Sequence, residues 1–303
     1  MFIASLITAT IAVALAIFTL LKITDTKDRR IVFFCFVCTL PMCWVMYHGI
    51  RIPFDDWLKS VCSDKEILFW IRMAYAPLTE EPAKLWPLLI PAVRRSITKQ
   101  NVACFAIALG VGFAVGEVFT VAGILKTKMP EISNLPWFAL GGFISERLMT
   151  CFVHSGMTGA ALLLITKGYG WLCGLGVAMP LHFFANFPIG MWKRGWLGNV
   201  EIVSQSLIYL WTLAFAIGGC IFLYRLTGFE KSPFATIFGD AICPSCNTRY
   251  QRSVKGINFG LNLRYEPCPK CKKWHWTKRT TPQDNSEDSG QQAVAKQKSS
   301  RNS

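Results

Sequence analysis

Apolar residues fall in blocks along this chain, at 2–21, 31–50, 67–93, 102–125, 143–166, 171–192 and 202–226, each carrying few charges or none. Every block is near the roughly 20 residues that cross a bilayer as a helix. A backbone in lipid must satisfy its hydrogen bonds within its own segment, so the pattern predicts about seven transmembrane helices. After Leu226 the hydropathy collapses, and a short cysteine-bearing stretch gives way to a Ser/Gln/Lys/Asp-rich end.

The composition agrees with the blocks. A mean hydropathy of +0.35 with 52% hydrophobic residues is too apolar for an ordinary soluble domain of 303 residues. The first block has no basic residues before it and its Ala-rich part runs straight into 17–21, so it reads as a retained span and not as a signal peptide. Lys22, Lys27, Arg29 and Arg30 follow the first span, Arg94, Arg95 and Lys99 the third, and Lys167 the fifth, and the basic tail follows the seventh. Placing these in the cytoplasm puts the N-terminus outside and the C-terminus inside, with Arg51, Lys59 and Lys65 outside among Asp55, Asp56 and Asp64. The net charge of +14 lies largely where this bias puts it. The partner expected is therefore the lipid bilayer and not nucleic acid.

Of the twelve cysteines, eight lie in or beside the spans as small apolar packing residues, including Cys35 and Cys38, whose CxxC sits inside an apolar run. The other four differ. Cys243-Pro-Ser-Cys246 and Cys268-Pro-Lys-Cys271 are two knuckles separated by about 21 residues, and four thiolates so spaced close a structural zinc site. A disulfide reading fits a cytoplasmic tail less well. His275, Trp274 and Trp276 lie beside the knuckles as packing residues. The organisation predicted is an all-α polytopic membrane core over 1–228, a linker over 229–240, a zinc ribbon over 241–276 and a disordered tail over 277–303.

Several polar residues sit where apolar ones belong. Glu80 and Glu81 fall near the middle of the third block, and a charge at that depth costs about 2.5–3.5 kcal/mol. Lys84 lies four residues after Glu80 and three after Glu81, so one ammonium can serve both carboxylates, while Pro82 frees backbone carbonyls. A competing reading makes this block two short interfacial helices around a surface loop. In the fourth block Gly112 and Gly116 form a small-xxx-small face that delivers Glu117 beside a close helix contact. Arg147, His154 and Thr158 share one face of the fifth, and His182 and Asn186 one face of the sixth.

A lone histidine in a helix is more often structural than catalytic, and depth changes that weighting. Counted from the outer ends, Glu80, Glu117, His154 and His182 lie about 13, 8, 11 and 10 residues in, a slab on the order of 8 Å thick. Two carboxylates near a lysine suit a general base acting on water. The two histidines and the asparagine suit an oxyanion site, or, with a glutamate, a catalytic zinc. No serine or cysteine nucleophile has a convincing partner.

The motifs 80-EEPAK-84, 110-GVGFAVGE-117, the Arg147 to His154 segment and 182-HFFAN-186, in this order over about 65–190, resemble those of the PrsW family of membrane proteases, which is related to the CAAX prenyl endopeptidases and the CPBP proteins. The resemblance implies a helical core that cleaves membrane-embedded or membrane-proximal substrates such as anti-sigma factors. It makes Glu80 and Glu81 the water-activating pair and His154, His182 and Asn186 the metal-binding or oxyanion-stabilising set, with Lys84, Glu117 and Arg147 in support. The chain departs from the family in Val118, where a polar residue often follows the glutamate, and in the appended ribbon, which implies a cytoplasmic protein partner. The motifs lean toward the cytoplasmic membrane of a bacterium.

Two other function classes compete. An ion-coupled transporter would use the same Glu/His set as a relay, yet no repeat relates the two halves. A non-catalytic scaffold would act through the ribbon alone, and its function would survive Glu80→Gln.

Overall fold

The computed structural model describes residues 1–198, 201–227, 240–251, 257–259 and 263–278. The chain divides into two units, Met1–Gly228 and Phe229–Ser303.

The first unit is helical: α1 (Phe2–Ile23), α2 (Arg29–Thr39), α3 (Met42–Met46), a π-helical turn (Tyr47–Arg51), α4 (Ile52–Val61), α5 (Lys65–Leu85), a 3-10 turn (Trp86–Leu89), α6 (Pro91–Ser96), α7 (Val102–Lys128), α8 (Pro130–Ser133), a 3-10 turn (Trp137–Leu140), α9 (Gly141–Thr166), α10 (Gly170–Lys193) and α11 (Glu201–Leu226). The centre of the bundle is α7. Its residues from Val102 to Val115 are buried on every side, as a helix apolar all round requires. Helices α1, α2 and α9 pack around it.

Glycine sets how close they come. A methyl group at Gly112 would strike the carbonyl of Phe36 and the hydroxyl of Thr39, and one at Gly116 would strike the carbonyl of Leu40, so the small-xxx-small face lies against α2 and its C-terminal end. On another side of α7, a methyl at Gly110 would meet the backbone of Ser155 at 2.5 Å, holding α9 against α7 right beside His154. Backbone contact this tight leaves no room for any side chain.

Among the described residues, six helical stretches are long and apolar enough to cross a membrane: Phe2–Ile23, Arg29–Val61, Val102–Lys128, Trp137–Thr166, Gly170–Lys193 and Ile202–Leu226. Seven were expected from the apolar blocks. The block over 67–93 is not among the six, because its helix α5 carries Lys65, Glu66, Arg72, Glu80, Glu81 and Lys84 and stops at Leu85. Pro87 follows, and its nitrogen has no proton to give the Ala83 carbonyl, so the α-helix passes into the 3-10 turn there. Nor is the block a surface loop, since the acid pair lies within α5 and is buried.

The second expected block, 31–50, extends to Val61 and is interrupted twice. Pro41 caps α3, and Pro53 cannot donate to the Gly49 carbonyl, which accounts for the π-helical turn just before it.

Hydrogen bonds mark the two ends of the bundle. At one, the Met1 amino group donates to Ser133 O at 2.9 Å and Arg194 pairs with Glu66. At the other, Asn101 Nδ2 reaches both Asp28 Oδ2 at 2.9 Å and Ser96 O at 2.8 Å. The chain from Glu66 to Ser96 therefore runs from one end to the other, with α5 passing beside α10 and α3.

In the second unit β1 (Asp240–Ile242) pairs antiparallel with β2 (Arg249–Gln251), and β3 (Ile257–Phe259), β4 (Leu263–Pro267) and β5 (Trp274–Lys278) form an antiparallel sheet in that order. Cross-strand register carries the folded region beyond the expected end at 276, as far as Lys278. Leu263 pairs with Lys278, and Thr277 is buried, its hydroxyl donating to Glu266 Oε1 at 2.6 Å. The expected linker over 229–240 lies outside the described residues except Asp240, and the expected tail does so from 279 onward.

Candidate active site

The charged residues of α5 follow from its sequence. Asp64 caps the helix, accepting from Glu66 N at 2.8 Å and Ile67 N at 3.1 Å, and the helix then delivers Glu80, Glu81 and Lys84 to the interior near its C-terminal end. These three, with His154 from α9 and His182 from α10, are at most 3% exposed.

They form one chain of contacts. Glu81 Oε1 accepts from the Lys84 ammonium at 2.5 Å and from His182 Nδ1 at 2.6 Å. Lys84 Nζ also donates to His154 Nδ1 at 2.9 Å, and His154 Nε2 then donates to Glu117 Oε2 at 2.9 Å. Glu117 Oε1 accepts from Arg147 Nη1 at 2.9 Å, and Arg147 pairs in turn with Glu146. Phe113 sets its ring edge-on to His154 with centroids 5.3 Å apart and lies under the Lys84 ammonium at 5.5 Å. The two imidazoles meet edge to face at 5.3 Å.

These partners fix the tautomers. A carboxylate only accepts, so His182 carries its proton on Nδ1 and leaves Nε2 bare when neutral. An ammonium only donates, so neutral His154 accepts at Nδ1 and carries its proton on Nε2.

Glu80 is set apart from its neighbour. Its Oε1 pairs with Arg51, whose Nε donates to Thr79 Oγ1 at 2.8 Å. Its Oε2 is buried with no hydrogen-bond partner among the described residues, 3.7 Å from His182 Nε2. That is too long for a hydrogen bond. Two bare acceptors face one another there, an arrangement that is complete only with a proton donor or a cation between them.

The structure thus brings together Glu80, Glu81, Lys84, Glu117, Arg147, His154 and His182. Asn186 lies one turn after His182 on the same face, half-buried, and makes no hydrogen bond within the protein among the described residues. Thr158, on the face of His154, is buried, and its hydroxyl has no partner among the described residues. The two glutamates do not act alike: Glu81 is held on both sides, whereas Glu80 has a free oxygen. Arg51, Thr79 and Glu146 belong to the network and carry no motif. The signal for Arg51 was its place within an apolar stretch that runs on to Val61, where a cation needs a partner.

Metal-donor atoms from Glu80, His154 and His182 all lie within 4.8 Å of one another, as do the thiols of Cys243, Cys246, Cys268 and Cys271. In the buried set the fit is good at Glu80 Oε2 and His182 Nε2. Two ligand atoms of one zinc ion lie at most about 4.2 Å apart, and these are 3.7 Å apart. His154 must exchange a hydrogen bond to join them, since both its nitrogens are engaged.

The sequence model of the PrsW family, described as intramembrane metalloproteases, matches residues 27–218. The chain belongs to the PrsW family. No curated protein and no solved structure matches it. As a PrsW protein with six helical stretches able to span a bilayer, it is an integral membrane protein and an intramembrane protease acting on membrane-associated substrates. The PrsW match covers the whole buried network from Arg51 to Asn186 and stops before the cysteine unit.

In that unit the two knuckles are built alike. Asn247 and Lys272, each following the second cysteine of its pair, have φ of 52° and 59° and donate backbone N–H bonds to Cys243 O at 2.9 Å and Cys268 O at 3.0 Å. Cys243 Sγ is 3.6 Å from Cys271 Sγ and Cys246 Sγ 3.7 Å from Cys268 Sγ, spacings suited to one tetrahedral ion. His275 Nε2 stands outside, 3.9 Å from Cys271 Sγ. Trp274 and Trp276 flank Tyr265 on the outer face of the sheet, about half exposed, while Arg264 and Glu266 are buried.

Proposed function

We propose that this PrsW protein is an intramembrane endopeptidase that hydrolyses a peptide bond with a water held between Glu80 and His182. One observation carries this reading: Glu80 Oε2 and His182 Nε2, both buried and both lacking a proton donor, face one another across 3.7 Å.

Each residue has a role set by its contacts. Glu80 takes a proton from the attacking water at Oε2, while Arg51 on Oε1 keeps the carboxylate in place. Glu81 orients His182 through Nδ1, as a carboxylate behind a catalytic histidine does, and Lys84 ties Glu81 to His154. Glu117 and Arg147 buttress His154 from the far side. Asn186, uncommitted one turn from His182, donates its amide to the developing oxyanion. Protonated Glu80 then returns its proton to the leaving amine. A metal-assisted form of the same reading is that Glu80, His182 and His154 would hold a divalent ion in that place, with Glu80 then a ligand and not the base, and such an ion would polarise the scissile carbonyl and acidify the water.

In this reading the segment Lys65–Ser96 is a seventh crossing, polar inside and covered by its neighbours, with the N-terminus outside and the C-terminus cytoplasmic. The cysteine unit is a zinc ribbon that takes a cytoplasmic protein partner, and the membrane is the bacterial cytoplasmic one. Anti-sigma factors represent the substrate class, single-span proteins cut at membrane depth. The four motifs support the wider kinship with CAAX prenyl endopeptidases and CPBP proteins.

The test is cleavage of a single-span peptide by the purified protein in lipid, read by mass spectrometry. Wild type should cut it within the membrane-embedded stretch, and Glu80→Gln should not. Equal cleavage by both would reject the assignment.

A further inference from the structure

The catalytic network is nearly closed to solvent, yet hydrolysis needs water and a polypeptide to reach Glu80. One cavity, of about 620 Å³, is lined by Tyr47, Arg51, Asp55, Lys59, Arg72 and Lys128 among others. Its wall touches the network directly, because Arg51 pairs with Glu80. An apolar cavity of about 440 Å³ between α9, α10 and α11, and another of about 540 Å³ beside Lys193, have no member of the network in their linings.

The position of this cavity on α5 matters. Arg72, Tyr75 and Ala76 in its lining are eight, five and four residues before Glu80. At 1.5 Å per residue they lie about 6–12 Å from it along the helix, a span that two to four extended residues cover. The cavity is at the bundle end to which Lys59 and Lys128 belong, the outer end in the topology proposed above.

Its charge is unbalanced. Arg51, Lys59, Arg72 and Lys128 line it with Asp55 and Asp56, and Arg51 is also paired with Glu80 behind the wall, which leaves one positive charge in excess. Asp55 is saturated, with Arg72 Nε at 2.6 Å, Lys59 Nζ at 2.7 Å and the Tyr75 hydroxyl at 3.5 Å. Asp56 is held by Lys59 at 3.3 Å. Lys128 is exposed and has no ion-pair partner among the described residues. Arg51 lies in the π-helical turn, a local geometry that recurs at functional sites.

We infer that this cavity docks the extramembrane flank of the substrate, an acidic polypeptide segment continuous with its buried stretch, and that Arg51 links the docked flank to Glu80. The inference rests on the peptidase reading above. Peptide is favoured over a lipid headgroup because the lining runs along α5 through Arg72, Tyr75 and Ala76 toward Glu80, with which Arg51 of the same lining pairs.

The experiment uses full-length protein in nanodiscs of zwitterionic lipid and dye-labelled Leu/Ala single-span peptides whose flank at this end is Asp-Asp-Asp, Ser-Ser-Ser or Lys-Lys-Lys. Binding is read by anisotropy and cleavage by mass spectrometry. The Asp-flanked peptide should bind about tenfold more tightly than the Ser-flanked one at low salt, with the Lys-flanked one weakest. Lys128→Glu, a surface change that leaves the fold intact, should remove most of that preference, and Arg51→Lys should keep it where Arg51→Gln does not. Equal binding of the three peptides, or a preference unmoved by Lys128→Glu, overturns the inference. So does a preference abolished by phosphatidylglycerol in the disc, which would make a lipid headgroup the occupant. Preferential binding without cleavage of any peptide would instead reject the peptidase reading and leave the docking site standing.

Discussion

Glu81 and His182, 101 residues apart in sequence, share a hydrogen bond of 2.6 Å from Nδ1 to Oε1, and the same oxygen takes the Lys84 ammonium at 2.5 Å. One carboxylate oxygen thereby joins α5 to α10 and chooses the tautomer of the histidine that faces Glu80. Glu81→Gln replaces an acceptor by an amide that can present a donor to His182. Cleavage of a single-span peptide should fall by a factor on the order of 10²–10⁴, the range for a misplaced acid–base group. A rate within threefold of wild type, roughly 0.6 kcal/mol, would remove Glu81 from the mechanism.

Lys84 has no solvent exposure and serves both Glu81 and His154. Lys84→Met leaves a buried carboxylate unpaired, which costs about 3–5 kcal/mol. Thermal unfolding in detergent micelles should register a large drop in midpoint. A midpoint unchanged from wild type would show that the network is not buried as described.

Asn186 differs because it holds nothing in place. Asn186→Ala should leave the unfolding midpoint within about a degree and lower turnover by a factor of about 10²–10³, as loss of one oxyanion donor does. A stability loss without a rate loss would make it a structural residue.

Gly116 and Gly123 lie two turns apart on α7 and predict opposite outcomes. A Cβ at Gly116 would run into the Leu40 carbonyl, whereas nothing lies within 4 Å of one at Gly123. Gly116→Ala should destabilise by roughly 1–3 kcal/mol, since backbone has to move, and Gly123→Ala should be neutral or slightly stabilising. Unfolding midpoints of the two variants side by side check the direction.

Metal analysis separates the two donor clusters. Replacing Cys243, Cys246, Cys268 and Cys271 by serine should lower the bound metal by one ion per chain. Metal that remains on that variant and is lost on adding His182→Ala would locate a second ion at Glu80, His154 and His182. The same content with and without His182 would leave the buried cluster without one.

Legibility differed between elements for physical reasons. Apolar blocks marked α1, α7, α9, α10 and α11 because each must hide its backbone inside itself, whatever its neighbours are. The block over 67–93 misled as a simple span: α5 carries six charged residues, of which the buried Glu80, Glu81 and Lys84 are tolerable only through their neighbours, and no property of that stretch alone reports who those neighbours are. Polar residues at one depth singled out Glu80, Glu117, His154 and His182, since a buried charge is costly enough to stand out. That the two glutamates meet different partners was not legible, because adjacent helical residues point about 100° apart and only the packed bundle decides what each one meets.

Local properties alone made this a helical membrane protein, marked the residues that are costly in its interior and set four cysteines in two knuckles. Hydropathy, charge and short spacing act within one segment, so they can be read along the chain. The meeting of Arg51 with Glu80, the bridge that Lys84 makes between Glu81 and His154, and the 3.7 Å approach of Glu80 Oε2 to His182 Nε2 came from packing instead. Each joins residues distant in the chain, and no property of a single segment reports what another segment brings against it.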